Sequence, residues 1–222
     1  MYSQHRFIDG RPLEMPPGKI VCVGRNYAAH AKELNNPVPE QPLLFIKPAS
    51  ALAALEAPIA LPQGKGECHH ELEVALLIGS TLSQAKPEDC LAAIAGYGLA
   101  LDLTLRELQS ELKAKGHPWE RAKAFDGACP LSAFVPATSV PDWQKLRFEL
   151  HRNGERQQSG HCSDMLFPID VLLADISQSF TLQPGDIVLT GTPAGVGPLQ
   201  NGDTLTCQLD KLLSVTTEVQ TP

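Results

Sequence analysis

Between residues 69 and 79 the chain reads His-His-Glu-Leu-Glu-Val-Ala-Leu-Leu-Ile-Gly, with apolar side chains at Leu72, Val74, Leu76 and Ile78. This two-residue period predicts a strand, and it sets Glu71 and Glu73 together on the opposite side. Further apolar runs predict strands over 20–23 (stopped by Gly24), over 43–46, between Pro58 and Pro62, over 96–103 and over 187–190. Asn153-Gly154 is a favoured pair for a type I′ turn and predicts a hairpin spanning 148–157. A last hairpin is predicted from Asp203 to Val219. In the first third of the chain the connections are too short for repeated βαβ units.

Helical periodicity is confined to short stretches. An Ala-rich turn is predicted within 24–34, broken by the Asn- and Pro-rich stretch 35–39, and another helix near 87–95. A third starts at Thr104 and turns Leu105, Leu108 and Leu112 inward before stopping near Gly116; Thr104 and Glu107 have the spacing of a capping box. Pro168 opens a fourth, with Ile169, Leu172, Leu173 and Ile176 on one face. Residues 1–17 are polar and weakly patterned, which predicts a short N-terminal arm or added hairpin ahead of a domain over 18–222.

Composition narrows the function classes. A formal net charge of −7 argues against general binding to nucleic acid or to an anionic membrane. No apolar run approaches the roughly 20 residues that span a bilayer, and the polar opening Met1–His5 does not read as a secretory signal. The six cysteines are scattered without CxxC spacing, so a cytoplasmic protein with reduced thiols fits better than a disulfide framework.

The candidate chemistry lies where charge interrupts apolar runs. Two carboxylates on one side of an apolar strand repel each other and are costly to desolvate, and a hard cation bound by both would remove that cost. An edge strand with a wetted face fits the same residues. Asp102 is the one acidic or basic side chain in the run 96–103 and is the natural third oxygen donor; an Asp bonded to nearby backbone is the alternative. His30 and Glu33, three apart on a helix, suit a general base with its tautomer fixed, or a surface ion pair. Arg106 and Gln109 share a helix face close in sequence to Asp102, and Lys123 offers a second positive charge for an anionic substrate; either cation also fits a solvated surface. The Gly-rich stretch 191–199 follows a buried strand, so that its backbone and the Thr192 hydroxyl can approach a ligand. It lacks the Lys-Ser/Thr of a phosphate loop. On the strand 69–79, His69 shares a face with Glu71 and Glu73, which leaves a zinc site as a lesser reading.

Taken together these stretches resemble the fumarylacetoacetate hydrolase superfamily. The resemblance rests on Val23–Tyr27, Phe45–Pro48, His70–Glu73, Asp102–Arg106, Lys123–Asp126 and Gly191–Gly197, which occur in family order across roughly residues 18–210. The group it most resembles is the short, single-domain acylpyruvases and oxaloacetate decarboxylases. It implies an α+β, β-rich fold, a mixed β-sandwich roll with a few flanking helices, assembled as a homodimer. It implies Mg²⁺ (or Mn²⁺) held by Glu71, Glu73 and Asp102, with Arg25, Arg106, Gln109 and Thr192 binding the 2-oxo acid. By the same carry-over Lys123 is catalytic and joins the keto-acid contacts, and His30 and Glu33 sit on a lid and handle water or a proton. The implied activity is C–C cleavage of small 2-oxo acids, by acylpyruvate hydrolysis or oxaloacetate decarboxylation, through a pyruvate enolate that the metal stabilises. The alternatives are an isomerase, decarboxylase or hydratase of aromatic catabolism, and a metal-dependent dicarboxylate-binding protein without turnover.

Overall fold

The computed structural model describes residues 2–34 and 37–221. Its frame is an eight-stranded mixed sheet. Across it run Leu43–Lys47, Ile20–Gly24, Ile187–Leu189, Leu72–Ile78, Ile94–Leu101, Cys129–Leu131 and Leu52–Ala54, with Val135–Pro136 pairing beside Ile94–Leu101. A five-stranded sheet (Glu155–His161, Arg147–Arg152, Thr204–Leu209, Leu213–Gln220, Ile59–Ala60) packs against it. A small three-stranded sheet joins Gly197–Pro198, Cys68–His70 and Thr104–Leu105. Helices are few and short, the longest being Arg106–Ala114 and Ile169–Ser179. The molecule is therefore β-rich with mixed sheets, as predicted.

The alternation along Leu72–Ile78 is real, but neither face is wet. Leu72, Val74, Leu76 and Ile78 enter a core shared with the inner face of the five-stranded sheet, through Phe148, Leu150, Leu205 and Cys207, and with the helix Ile169–Ser179. Ala75 and Leu77 enter a second core with Ile20, Cys22, Leu131 and Phe134, covered in part by Phe7 and Leu13 from ahead of the first strand. That burial rules out the edge-strand reading: Leu72–Ile78 lies between Ile187–Leu189 and Ile94–Leu101.

Register then gathers one end of the sheet. Leu72 pairs with Leu101, so the start of one strand meets the end of the next. Ile187–Leu189 runs antiparallel to Leu72–Ile78 and parallel to Ile20–Gly24. Gly24 in turn pairs with Leu43. Residues 24–25, 43, 71–73, 101–102 and 190–192 thus share one rim.

Several local expectations hold. The Asn153–Gly154 turn has both residues at positive φ (53° and 84°), as a type I′ hairpin requires. The helix opened by Pro168 buries Ile169, Leu172, Leu173 and Ile176. The segment 87–95 is shorter than predicted, a single helical turn at Pro87–Cys90 and a tight turn at Leu91–Ala93 before a strand begins at Ile94. The proposed capping box does not form. Thr104 and Leu105 are recruited as a strand beside Cys68–His69, the helix starts at Arg106, and the Thr104 hydroxyl donates instead to the Asp102 carbonyl (3.0 Å). Within the predicted break at 35–39, Asn35 and Asn36 lie outside the described residues.

Candidate metal centre

Glu71, Glu73 and Asp102 meet at this rim. All three are buried, and one oxygen from each lies within 4.8 Å of the others. Glu71 sits at the break between Cys68–His70 and Leu72–Ile78, held by its carbonyl accepting from Asp102 N (2.8 Å). Gly191, at φ 99°, places its N–H 2.6 Å from Glu73 Oε2; a side chain there would collide with Asn26.

Cations surround the acids. Lys123 Nζ donates to Glu71 Oε2 (2.9 Å) and Asp102 Oδ2 (2.7 Å). The Arg106 guanidinium donates to Glu71 Oε1 and to Gln109 Oε1 (2.8 Å). A third cation escaped the sequence reading: Lys47, fully buried, lies 2.7 Å from Asp102 Oδ1. The sequence signalled it only as a lysine closing the apolar run Leu43–Ile46, within the family-like stretch Phe45–Pro48, with no role attached. The three ammonium protons of Lys47 have the carbonyls of Leu103 (3.3 Å), Ala128 (2.8 Å) and Lys123 as acceptors. Asp102 Oδ1 consequently feels the charge of Lys47 yet receives no hydrogen bond.

The electrostatics separate the two glutamates. Burial pushes the Glu71 carboxyl up, but Lys123, Arg106 and His30 outweigh it and hold Glu71 well below the usual range. Among the described residues no such cation is bonded to Glu73, and burial followed by Asp102 and Glu71 pushes it well up. Lys123 is stabilised as a cation, since Asp102 and Glu71 overcome its burial. Three clustered carboxylates, one destabilised as an anion and one carrying an orphaned buried oxygen, suit a hard divalent cation that prefers oxygen ligands. The donor set therefore fits Mg²⁺ or Mn²⁺.

A pocket opens over this cluster, and every other sequence-predicted residue reaches it except Glu33, which stands behind His30. His30 is buried, and its Nδ1 lies 3.2 Å from Glu33 Oε2. Glu33 Oε1 also accepts from Gly195 N (2.9 Å), tying the short helix Ala28–Glu33 to the Gly-rich loop. Arg25 takes a left-handed φ of 62°, uncommon for a side chain of this size and a frequent mark of functional sites. Leu43, Phe45 and Trp119 form an apolar wall. Thr192 lines the pocket too, although its hydroxyl proton goes to the Leu72 carbonyl (2.8 Å).

Gln158 is a second residue the sequence did not reveal. Its side-chain oxygen lies 3.1 Å from His70 Nδ1 and accepts from Leu72 N (2.9 Å), and its amide donates to Thr192 Oγ1 (2.8 Å) and the Pro193 carbonyl (3.0 Å). It thereby fixes the Thr192 loop against the start of the Glu73 strand. The zinc reading fails here: His69 points to Glu67 (3.0 Å) and His70 to Gln158, and neither belongs to the acidic cluster. The six cysteines are buried free thiols.

A β-rich domain that gathers buried oxygen donors and cations under a pocket is the build of an oxygen-ligand metal site. The fumarylacetoacetate (FAA) hydrolase C-terminal family model matches residues 19–220, and the chain belongs to that family. It is 54% identical over 211 residues (95% of this chain, 96% of the relative) to oxaloacetate tautomerase YcgM of Escherichia coli. To the human mitochondrial oxaloacetate tautomerase FAHD1 it is 43% identical over 203 residues, covering 91% of this chain and 92% of that one. The crystal structure of fumarylpyruvate hydrolase from Pseudomonas aeruginosa, in complex with Mn²⁺ and pyruvate, superposes with a TM-score of 0.92 at 32% identity, covering 100% of this chain and 96% of that one.

Proposed function

We propose that the chain is a divalent-metal-dependent enzyme of small 2-oxo acids that interconverts enol and keto forms, oxaloacetate foremost. The observation that carries this reading is the buried Glu71–Glu73–Asp102 cluster beneath a pocket that also holds His30 and Arg106. The names of the tautomerase relatives support the substrate. Glu71, Glu73 and Asp102 would hold Mg²⁺ or Mn²⁺, whose Lewis acidity, when bound, stabilises negative charge developing on the 2-oxo oxygen.

The rest of the work falls to side chains. The Arg106 guanidinium and Gln109 amide orient the carboxylate end of the substrate, a planar fork suited to a planar anion. Lys123 and Lys47 keep the carboxylates fixed, so that little reorganisation is needed as charge moves. With Glu33 at Nδ1, His30 is left with Nε2 to carry a proton to or from the carbon next to the 2-oxo group. The apolar wall of Leu43, Phe45 and Trp119 keeps water away from that carbon.

The His30–Glu33 pair also favours a second reading, C–C cleavage. In acylpyruvate hydrolysis His30 takes a proton from water while Glu33 holds the imidazole in place; in oxaloacetate decarboxylation no attacking water is needed. The hydrolase relative supports this chemistry in the same architecture. The two readings part in one assay. Decay of enol-oxaloacetate and release of pyruvate from oxaloacetate and acetylpyruvate are followed with Mg²⁺, then with excess EDTA. Metal-dependent enol decay faster than pyruvate release is expected. Faster pyruvate release would make cleavage the main activity, and no metal-dependent change in any substrate would leave a dicarboxylate-binding protein without turnover.

A further inference from the structure

Arg106, Gln109 and Lys113 are spaced i, i+3, i+7 on the helix Arg106–Ala114 and all three line the pocket. That spacing is a single helical stripe. At ~1.5 Å of rise per residue it carries Lys113 roughly 10 Å along the axis beyond Arg106. Arg106 is half-buried against Glu71 and Gln109 is buried, whereas Lys113 is exposed at the outer end. Arg25, held in its left-handed turn at the strand rim, contributes a second cation to the same pocket. Burial, Arg25, Arg106 and Lys123 lower the Lys113 ammonium in that order, as expected where positive charges share one cleft.

We propose that Lys113, together with Arg25, forms a distal-anion subsite that selects 2-oxo acids bearing a second carboxylate over those with a neutral tail. This rests on the functional reading above and deepens it. At the inner end of the pocket three carboxylates face Lys123 and Arg106, with Lys47 buried behind Asp102. With a divalent cation bound, the first carboxylate of a substrate lowers the net charge there to about +1 by formal counting. A second carboxylate gains little from that inner region. It gains from the further cations lining the same pocket, Lys113 toward the outer end of the helix stripe and Arg25 at the strand rim. Such a subsite adds specificity and steers dianions into the cleft, without taking part in the chemistry at the 2-oxo group.

The test compares oxaloacetate, which carries the distal carboxylate, with oxalate, a two-carbon dianion that presents only the chelating end. KM for enol-oxaloacetate and the competitive Ki of oxalate are measured with Mn²⁺ for the wild type, Lys113→Met and Lys113→Arg. Lys113→Met keeps the apolar stem and removes the charge, and the expected result is a rise of about tenfold or more in the ratio of KM to Ki. Lys113→Arg should restore most of it. Arg25→Gly, which suits the left-handed backbone, should raise the ratio in the same direction. An unchanged ratio in an active Lys113→Met enzyme, or equal loss of both constants, would overturn the subsite while leaving the functional reading standing. A wild type that neither converts oxaloacetate nor binds oxalate would overturn the functional reading, and the subsite with it.

Discussion

The two large sheets use burial in opposite ways. In the five-stranded sheet the strands alternate as simple amphipathic elements do. Val215, Thr217 and Val219 face inward while Ser214, Thr216 and Glu218 face solvent, and the inner residues serve packing. In the eight-stranded sheet Leu72–Ile78 is buried throughout, and the charged residues at its rim are buried with it. One sheet places most of its polar groups in water, with Gln158 and Thr217 as buried exceptions; the other collects three acids and two lysines out of water, where each is costly unless paired. The expensive arrangement marks the site, and the inexpensive one marks the scaffold.

Glu73→Gln should break this contrast most sharply. The amide keeps an acceptor for the Gly191 N–H but removes the carboxylate that burial, Asp102 and Glu71 destabilise. Metal-dependent turnover should fall by at least about 10² while the metal-free protein becomes more stable, a trade-off characteristic of active sites. Melting curves with EDTA, beside turnover with Mg²⁺, check both halves; a less stable metal-free variant would contradict the charge argument.

Removing a paired cation should do the reverse. Lys47→Met removes the cation facing Asp102 Oδ1 and leaves three buried carbonyls without their donor, so it should cost about 3–5 kcal/mol in stability. Metal affinity should weaken about 10–100-fold, in line with losing a group that orients a ligand. Denaturant unfolding and Mn²⁺ titration report the two losses separately.

On the scaffold side, Leu150→Ala should cost about 2–5 kcal/mol through the cavity it leaves, with kcat of the folded fraction preserved. Glu218→Gln, on the outer face of the same sheet, should stay within about 0.5 kcal/mol. A Leu150→Ala protein that melts normally but loses activity would show that the two sheets are not divided as described.

A smaller, graded effect concerns pH. Burial holds His5 and His70 below the ordinary 6.5, so the unfolded chain takes up protons before the folded one does. Their contribution to stability is present above 6.5 and declines as pH falls through 6.5 toward the lowered folded values. Melting temperature should drop over that range, and His70→Gln should flatten the drop. A melting temperature that is level across it would contradict the assignment of two buried neutral imidazoles.

What the sequence made legible follows the same divide. Strand periods, the Asn153–Gly154 turn and the helix after Pro168 depend on neighbours in the chain, so the residue pattern alone displays them. Glu71, Glu73 and Asp102 were legible because acids in apolar runs are conspicuous. Lys47 and Gln158 were not, because their partners lie 55 residues away at Asp102 and 88 at His70, and only strand register brings them together. The Thr104 capping box misled because tertiary pairing with His69 took the residue that local chemistry would have used as a cap.

The most direct test of the central claim is titration of Mn²⁺ into chelator-treated protein, in buffers of different ionisation heat, for the wild type and Glu73→Gln. The raised Glu73 carboxyl must lose its proton to serve as a ligand, so binding should release a proton and tighten as pH rises. The expected result is one ion per chain with proton release in the wild type, and weak binding without that proton in Glu73→Gln. Equal binding in both proteins would contradict it, because the ion would then be held elsewhere.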